Sequence, residues 1–318
     1  DPTYPLYPVA ALLAAVMLLL VLLTNLIRQS WNLGIAFLCF WLFLDNIALA
    51  VNAIIWSDNY DVKLYAYCDI VSHLQLLCYI VRPITTLLVT RRLYLIARLQ
   101  SVELPSKSAR RRNLFIEWTL GLVVPVLVAD YTVQAFRFEV IEGFGCTNAI
   151  INKGLPLILI DSWYVIPPLI SVTIYCPLVV RIFYRHTREV NRFLRSNSSV
   201  SRTNYIRILA LASVDIVFTL PIGIVNLVLD IQQSWRSGSS LTLYTSWAQV
   251  HSNWDPVGLP YSWILGTYLA DQYVYNWTAP ALAFAIFAIF GLTAEARTSY
   301  WRVICVVGGW FGWKPTPR

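Results

Sequence analysis

Charged side chains set inside long apolar runs are the chemistry this sequence offers. Asp45 with Asn46, Arg82, Asp130, Asp161, Asp215, Asp230 and Asp271 each interrupt a stretch of aliphatic and aromatic residues. An ionised group in hydrocarbon is costly and persists where it faces an opposite charge, water or a ligand. Arg82 sits about 17 residues into its stretch, roughly 26 Å along a helix at 1.5 Å per residue. Asp45 and Asp215 fall at similar depth, so Arg82 is expected to pair with one of them. Such a pair is either a fixed structural tie or a lock that changes partner when the protein changes state. Asp45, Arg82 and Asp215, with the mid-helix Pro221, are therefore the candidate switch. Asp130, Asp161, Asp230 and Asp271 lie towards the other ends of their runs. They either give a pocket an acidic rim or simply touch interfacial water.

Catalytic groupings do not emerge. His73, His186 and His251 are the only histidines and are dispersed, which argues against a His-rich metal site. Lys63, Lys107, Lys153 and Lys314 all fall in loops or the tail, so no lysine is placed for a Schiff base within a helix. Neither a Gly-x-Ser-x-Gly elbow nor a Gly-rich phosphate loop occurs. No catalytic residue, metal or cofactor is expected, and the chain does not read as an enzyme.

The elements that must carry these groups are seven apolar stretches, at roughly 6–27, 33–56, 65–90, 114–136, 157–182, 206–231 and 263–292. Each reaches the length of about 20 residues that a spanning helix needs. Hydrophobic residues make up 58% of the chain and charged residues 13%, with a mean hydropathy of +0.59, far from the ~25% charge of a soluble domain. The expected fold is an all-α bundle of seven transmembrane helices forming one domain over residues 1–300, with 301–318 as a short juxtamembrane segment.

Basic residues fix the orientation. Arg28, seven from Arg91 to Arg112, seven from Arg181 to Arg207 and four from Arg297 to Arg318 share one side, while Lys63, Arg137, Lys153 and Arg236 occupy the other. Lys and Arg collect on the cytoplasmic side, so the N-terminus is expected outside and the C-terminus inside. The net charge of +7 then reflects loops facing anionic lipid rather than nucleic acid. No cleavable signal peptide is expected, because the first stretch is too long for one.

Six cysteines divide by location. Cys39, Cys78 and Cys176 fall within predicted helices and read as small packing residues. Cys305 follows the last helix and is either palmitoylated or a plain thiol. Cys68 and Cys146 are the outward-facing pair, and a disulfide between them would tie the second outer loop over the bundle. The third outer loop, about 233–262, carries Trp235, Trp247 and Trp254 and is expected to fold back in the same way. The sequons at Asn197 and Asn276 fall in the cytoplasm and inside the seventh helix, where neither is glycosylated.

Prolines interrupt four of the predicted helices, at Pro83, Pro167 with Pro168, Pro177, Pro221 and Pro280. Each removes a backbone hydrogen bond and bends its helix. Pro221 lies above a basic inner loop, so a hinge there would swing that loop.

Several local patterns go beyond hydropathy. Asn32-Leu33-Gly34 leads into Phe40-Trp41-Leu42-Phe43 and Ala53-Ile54-Ile55-Trp56-Ser57-Asp58. Tyr67-Cys68-Asp69-Ile70 precedes Leu74-Gln75. Arg91-Arg92-Leu93-Tyr94 ends the third stretch, Gln134-Ala135-Phe136-Arg137-Phe138 precedes Gly145-Cys146, and Asn253-Trp254-Asp255-Pro256 precedes Trp263. In this order and spacing, from about residue 5 to 300, the chain resembles the fungal class D G-protein-coupled receptors for lipopeptide (a-factor-type) mating pheromones. It departs from rhodopsin-type receptors: Arg91-Arg92-Leu93-Tyr94 replaces Asp-Arg-Tyr, Phe218-Thr219-Leu220-Pro221 replaces Cys-Trp-x-Pro, and Pro280 lacks the Asn-Pro-x-x-Tyr setting.

The resemblance implies a plasma-membrane receptor for a farnesylated peptide pheromone, coupled to a heterotrimeric G protein. Membrane lipids and a second copy of the chain are further partners to weigh. Family members often have long tails, which implies that 301–318 is the start of a truncated one. Ligand contacts are expected at the outer ends of helices 4 to 7: Tyr131, Gln134, Phe138, Trp163, Tyr164, Asp230, Tyr268, Asp271 and Tyr275. An aromatic belt at the membrane interface is the plainer account of the rings among them. Arg91, Arg92, Tyr94, Arg185, Arg188 and Arg207 are expected to border a cavity for the C-terminal helix of the G-protein α-subunit. The plainer account of these arginines is contact with anionic headgroups. The competing function is a small-solute transporter or channel using Asp45, Arg82 and Asp215 as a polar path. The absence of repeated halves or paired broken helices disfavours it, and solute flux in liposomes set against nucleotide exchange on a G protein would separate the two.

Overall fold

The computed structural model describes residues 2–28, 33–99, 107–123, 133–151, 154–185, 202–236, 243–244, 246–264, 266–293, 296–301 and 305. Helix α1 spans Leu6–Arg28 and α2 spans Leu33–Ile55. At 23 residues each, they are about 34 Å long, enough to cross hydrocarbon. α3 runs over Tyr65–Leu99 with Pro83 inside it. α4 covers Lys107–Trp118 and passes into a π turn at Thr119–Val123.

α5 is a helical run over 154–185, broken by π turns at Leu157–Asp161 and Ser171–Tyr175. The second π turn lies between the Pro167-Pro168 pair and Pro177, where missing N–H groups free carbonyls one turn back. Ser171 Oγ also donates to the Pro167 carbonyl at 3.0 Å, beside the bond from its own N–H. α6 spans Arg202–Arg236 with Pro221 inside it, and α7 spans Thr267–Ile286 with Pro280, ending in a π turn at Phe287–Gly291.

Among the described residues, six helices are long and apolar enough to cross a membrane: Leu6–Asn25, Leu33–Ile55, Tyr65–Leu95, Gly154–Ile182, Ile206–Val228 and Tyr268–Gly291. The expected fourth span differs from its prediction. Its helix starts earlier, at Lys107, and residues 124–132 lie outside the described set. Its predicted last residues are not helical. Gln134 pairs with Ile150 in a β-bridge, the Ala135 N–H donates to the Ala149 carbonyl at 2.8 Å, and the Ile151 N–H donates to the Val133 carbonyl at 3.0 Å. This backbone is satisfied by the neighbouring extended segment 149–151, so the apolar residues around it are covered by protein instead of lipid.

One end of the bundle is capped by a three-stranded sheet in the order β2-β1-β3: β1 Glu139–Ile141, β2 Gly145–Thr147 and β3 Val257–Leu259. β1 and β2 form an antiparallel hairpin with Val140 opposite Cys146. β3 pairs parallel to β1, with Val140 opposite Gly258. The loop before α7 therefore does fold back, onto the loop before α5. Gly145 holds φ +81° with its Cα against Asn52 of α2, where a Cβ would come within 2.5 Å of the Asn52 Cβ. Only glycine seats the hairpin this closely.

The main core joins α1, α2, α3, α6 and α7 through Leu18, Leu38, Leu42, Leu93, Leu211 and Ile286. A second cluster, with Ile80, Ile84, Leu88 and Ile160, joins α3 to α5.

Candidate functional site

The cap is fastened on its α2 and α3 side by several bonds of different kinds. Cys68, near the start of α3, is joined to Cys146 of β2 by a disulfide, with Cα atoms 5.3 Å apart. Arg137 donates to both carboxylate oxygens of Asp69, at 2.8 and 2.6 Å, the two-pronged geometry that makes such pairs strong. Asn52 Nδ2 donates to the Cys146 carbonyl at 2.8 Å, and the Gly143 N–H donates to the Trp56 carbonyl at 2.7 Å. Trp56, Phe138 and Val140 pack around the disulfide in a cluster closed to solvent.

Towards α7 the cap is held more lightly. The Tyr268 hydroxyl donates to Glu139 Oε1 at 2.9 Å, the Tyr261 and Tyr273 hydroxyls are 3.2 Å apart, and the Tyr273 ring meets Phe144 edge-on at 5.2 Å. Burial pushes the Glu139 carboxyl up to about 7, with the Tyr268 hydrogen bond acting in the opposite direction.

Beneath the cap three tyrosines form a floor. Tyr79 of α3 stacks on Tyr164 of α5 at 4.4 Å and lies 6.4 Å from Tyr275 of α7. α6 reaches this floor through Gly223, two residues past Pro221, where a Cβ would lie 2.8 Å from the Tyr164 ring. The Arg82 guanidinium lies 5.5 Å from the centre of the Tyr275 ring, in cation–π range. Arg82 Nη2 donates to Asp45 Oδ2, and the two side chains are 1% and 0% exposed. Asp45 Oδ1, Arg82 Nε and Nη1 and Gln75 Oε1 have no hydrogen-bond partner among the described residues. Desolvation of the pair is thus only partly offset, the usual situation of a buried ion pair.

α1 joins this polar layer through the Tyr7 hydroxyl, which donates to Asn276 Oδ1 at 3.0 Å. The Tyr275 hydroxyl donates to the Gln75 carbonyl at 3.3 Å. Of the two carboxylates expected to meet Arg82, Asp45 does so, and the Asp215 side chain lies outside the described residues.

At the Arg-rich end, Arg91 Nη2 donates to Asn113 Oδ1 at 2.8 Å and Arg92 Nη1 donates to Glu117 Oε2 at 3.1 Å. Glu117 is buried and Arg92 partly exposed. These two contacts clasp the Arg-rich part of α3 to the second half of α4. Tyr94 meets Tyr175 of α5 at 5.9 Å, and α3 packs against both α5 and α6. Arg207 is half-buried at the start of α6, the Arg185 side chain lies outside the described residues, and so does Arg188 entirely.

The predicted ligand residues therefore separate into groups. Tyr164 and Tyr275 converge on Tyr79, and Tyr268 meets Glu139. Asp271 is half-buried on α7. Gln134 is buried at the base of the cap, its Nε2 donating to the Arg137 carbonyl at 2.6 Å. Trp163 packs against the α3–α5 cluster. Phe138 offers no surface to a ligand: it is fully buried beside the disulfide, and in this arrangement it is a packing residue. Tyr131 and the Asp230 side chain lie outside the described residues.

Sequence reasoning missed Tyr79, Glu117 and Glu139. Glu117 carried a usable signal, an acid within the apolar run Leu114-Phe115-Ile116-Glu117-Trp118 that should have prompted a search for a basic partner. Glu139 carried none, because its partner Tyr268 is 129 positions away.

Comparison with known proteins adds a family match along almost the whole chain. The family described as STE3, pheromone A receptor, matches residues 6–308. The chain is 32% identical over 305 residues to the pheromone B alpha 2 receptor of Schizophyllum commune, covering 94% of this chain and 46% of that protein. It is 27% identical over 279 residues to pheromone receptor 1 of Mycosarcoma maydis, covering 86% of this chain and 76% of the relative. It is 26% identical over 283 residues to the pheromone a factor receptor of Saccharomyces cerevisiae, covering 85% of this chain and 55% of the relative. The chain spans about half the length of the Schizophyllum relatives it matches.

Proposed function

We propose that this chain, which belongs to the STE3 family of pheromone A receptors, is the membrane domain of a mating-pheromone receptor that activates a heterotrimeric G protein. It is a multi-pass protein of the plasma membrane. In this reading seven helices over residues 1–300 cross the bilayer, the capped end faces outwards and the Arg-rich end faces the cytoplasm. The observation that carries the reading is the layered contact from the tyrosine floor to the buried ion pair. A ligand resting on Tyr164 and Tyr275 would press on a ring that lies against Arg82.

The ligand is a farnesylated peptide. Its lipid supplies most of the affinity, at roughly 0.8 kcal/mol per buried CH₂, and its peptide supplies selectivity. The ligand need only favour one arrangement of an existing equilibrium. In the favoured arrangement α6, bent at Pro221, swings away from α3, and Arg92 leaves Glu117. Arg91, Arg92, Arg185, Arg188 and Arg207 then meet the carbonyls and terminal carboxylate of the Gα C-terminal helix, with Tyr94 beside them. In the present arrangement Glu117 occupies the position that carboxylate would take on Arg92.

The transporter reading draws no support from the ion pair, since Asp45 and Arg82 are sealed from solvent. The test is nucleotide exchange on a purified G protein, with the receptor in a bilayer and prenylated pheromone added. Pheromone-dependent exchange is expected. Solute flux in liposomes without exchange would replace this reading with the transporter.

A further inference from the structure

α6 and α7 do not close against each other along their membrane-spanning parts. Between them lies a groove of about 270 Å³, walled by Val214 and Ile222 of α6 and by Val274, Thr278, Ala281 and Ala285 of α7. Positions 274, 278, 281 and 285 follow the spacing of one helix face. They run about 16 Å along the axis, a length suited to a farnesyl chain. The wall is apolar, and its one hydroxyl, Thr278 Oγ1, is already spent on the Val274 carbonyl. A prenyl chain brings no polar group of its own to this wall. Val274 and Ala281 are exposed on the bundle surface, so the groove opens sideways and a chain dissolved in the bilayer can enter it.

We propose that this seam seats the prenyl chain of the ligand, with the attached peptide rising to the outer ends of the same two helices. The inference rests on the reading of the chain as a lipopeptide receptor and adds where the lipid is held. Charge decides between the hydrocarbon chains on offer. Continuing the α7 stripe outwards by three residues gives Asp271, half-buried on the same helix above the groove. Its carboxylate disfavours the phosphodiester of a membrane phospholipid and favours the amides or ammonium group of a peptide, whose esterified end carries no negative charge.

The groove also adjoins the polar layer. Trp277, part of its wall, meets the Tyr7 ring edge-on at 5.4 Å, and its neighbours Asn276 and Tyr275 reach Tyr7 and Arg82. A filled seam therefore braces the stretch of α7 that contacts the ion pair.

The experiment uses the full-length receptor in lipid nanodiscs and a farnesylcysteine methyl ester carrying a photoreactive group on its prenyl chain. Cross-linked peptides are mapped by mass spectrometry. Label is expected within 214–222 and 274–285, displaced by prenylated pheromone and not by the same peptide without its lipid. Ala281→Trp should reduce labelling by about tenfold, the equivalent of roughly two buried methylenes. Ala285→Leu should reduce it less, and Val225→Trp on the exposed face of α6 should leave it unchanged. A melting curve for each variant reports folding, and Ala285→Leu serves if Ala281→Trp fails to fold.

Label outside the seam, or label indifferent to both groove-filling changes, overturns the proposal. So does equal labelling by a phospholipid bearing the same photogroup, which would make the seam a bilayer contact only. Nucleotide exchange in the same nanodiscs keeps the two claims apart. Exchange driven by lipopeptide with label elsewhere removes the seat and leaves the receptor, whereas specific seam labelling with no exchange by any lipopeptide removes the receptor reading and leaves a prenyl site.

Discussion

The two ends of the bundle are built to different degrees of permanence. The capped end is fixed to α2 and α3 by a covalent bond, a two-pronged ion pair, backbone hydrogen bonds and a sealed apolar cluster. Among the described residues, the Arg-rich end of α3 is clasped to α4 by two side-chain hydrogen bonds, Arg91 with Asn113 and Arg92 with Glu117. Many bonds of different kinds cannot be undone by one event, and two polar contacts can. In the proposed function, where a ligand site is held constant while a G-protein face moves, this asymmetry is what the reading requires. The ion pair of Arg82 and Asp45 lies between the two ends and should be felt at both.

The largest expected effect is on that middle layer. Asp45→Ala leaves a buried guanidinium without its partner, a loss of about 3–5 kcal/mol, read as a large fall in melting temperature in detergent. The double change Asp45→Leu with Arg82→Met removes both charges and should recover most of the loss. A double variant as unstable as the single one would mean that packing rather than charge sets the cost.

Next comes the cap. Cys68→Ser with Cys146→Ser should cost about 2–4 kcal/mol and speed proteolysis around 139–147. Unchanged cleavage would mean that the noncovalent anchors suffice.

The α7 side of the cap should respond to pH. Glu139 is lifted from 4.5 to about 7 by burial, so the closed cap holds a proton that a solvated carboxyl would release. That contribution is complete below about pH 4.5 and is lost as pH rises through about 7. Hydrogen exchange in 257–264, corrected for intrinsic rates, should show protection falling severalfold from pH 5 to pH 8. Glu139→Gln should flatten the profile, and a pH dependence retained by Glu139→Gln would place its source elsewhere.

How far the sequence foresaw all this depends on which forces act. Spans such as α1 and α2 were legible because hydrocarbon imposes length and polarity on each helix separately. The last residues of the fourth stretch differ from their prediction because Val133 and Ala135 are apolar for a different reason: they pair with 149–151 under the cap. Three-residue strands such as β1 and β3 carry too little pattern to be seen, and their pairing joins positions more than a hundred residues apart. Arg82 stood out as an ion in an apolar run. Its choice of Asp45 depended on how α2 and α3 are rotated against each other, which hydropathy does not encode. Phe138 and Tyr164 were equivalent as aromatic residues near helix ends. Only packing separates the one sealed beside the disulfide from the one stacked on Tyr79.

The smallest effect on stability is expected at the clasp, and it bears most directly on the account. Glu117→Gln keeps the size of the buried side chain and an oxygen that can accept from the partly exposed Arg92, so the variant should fold, reach the surface and bind pheromone as before. The deciding measurement is ligand-free and pheromone-driven nucleotide exchange on the purified G protein for the unaltered receptor, Glu117→Gln and Arg92→Gln, in nanodiscs. A fixed cap above a breakable clasp predicts raised ligand-free exchange for Glu117→Gln and loss of pheromone-driven exchange for Arg92→Gln with binding retained. Both variants exchanging at the level of the unaltered receptor would contradict it.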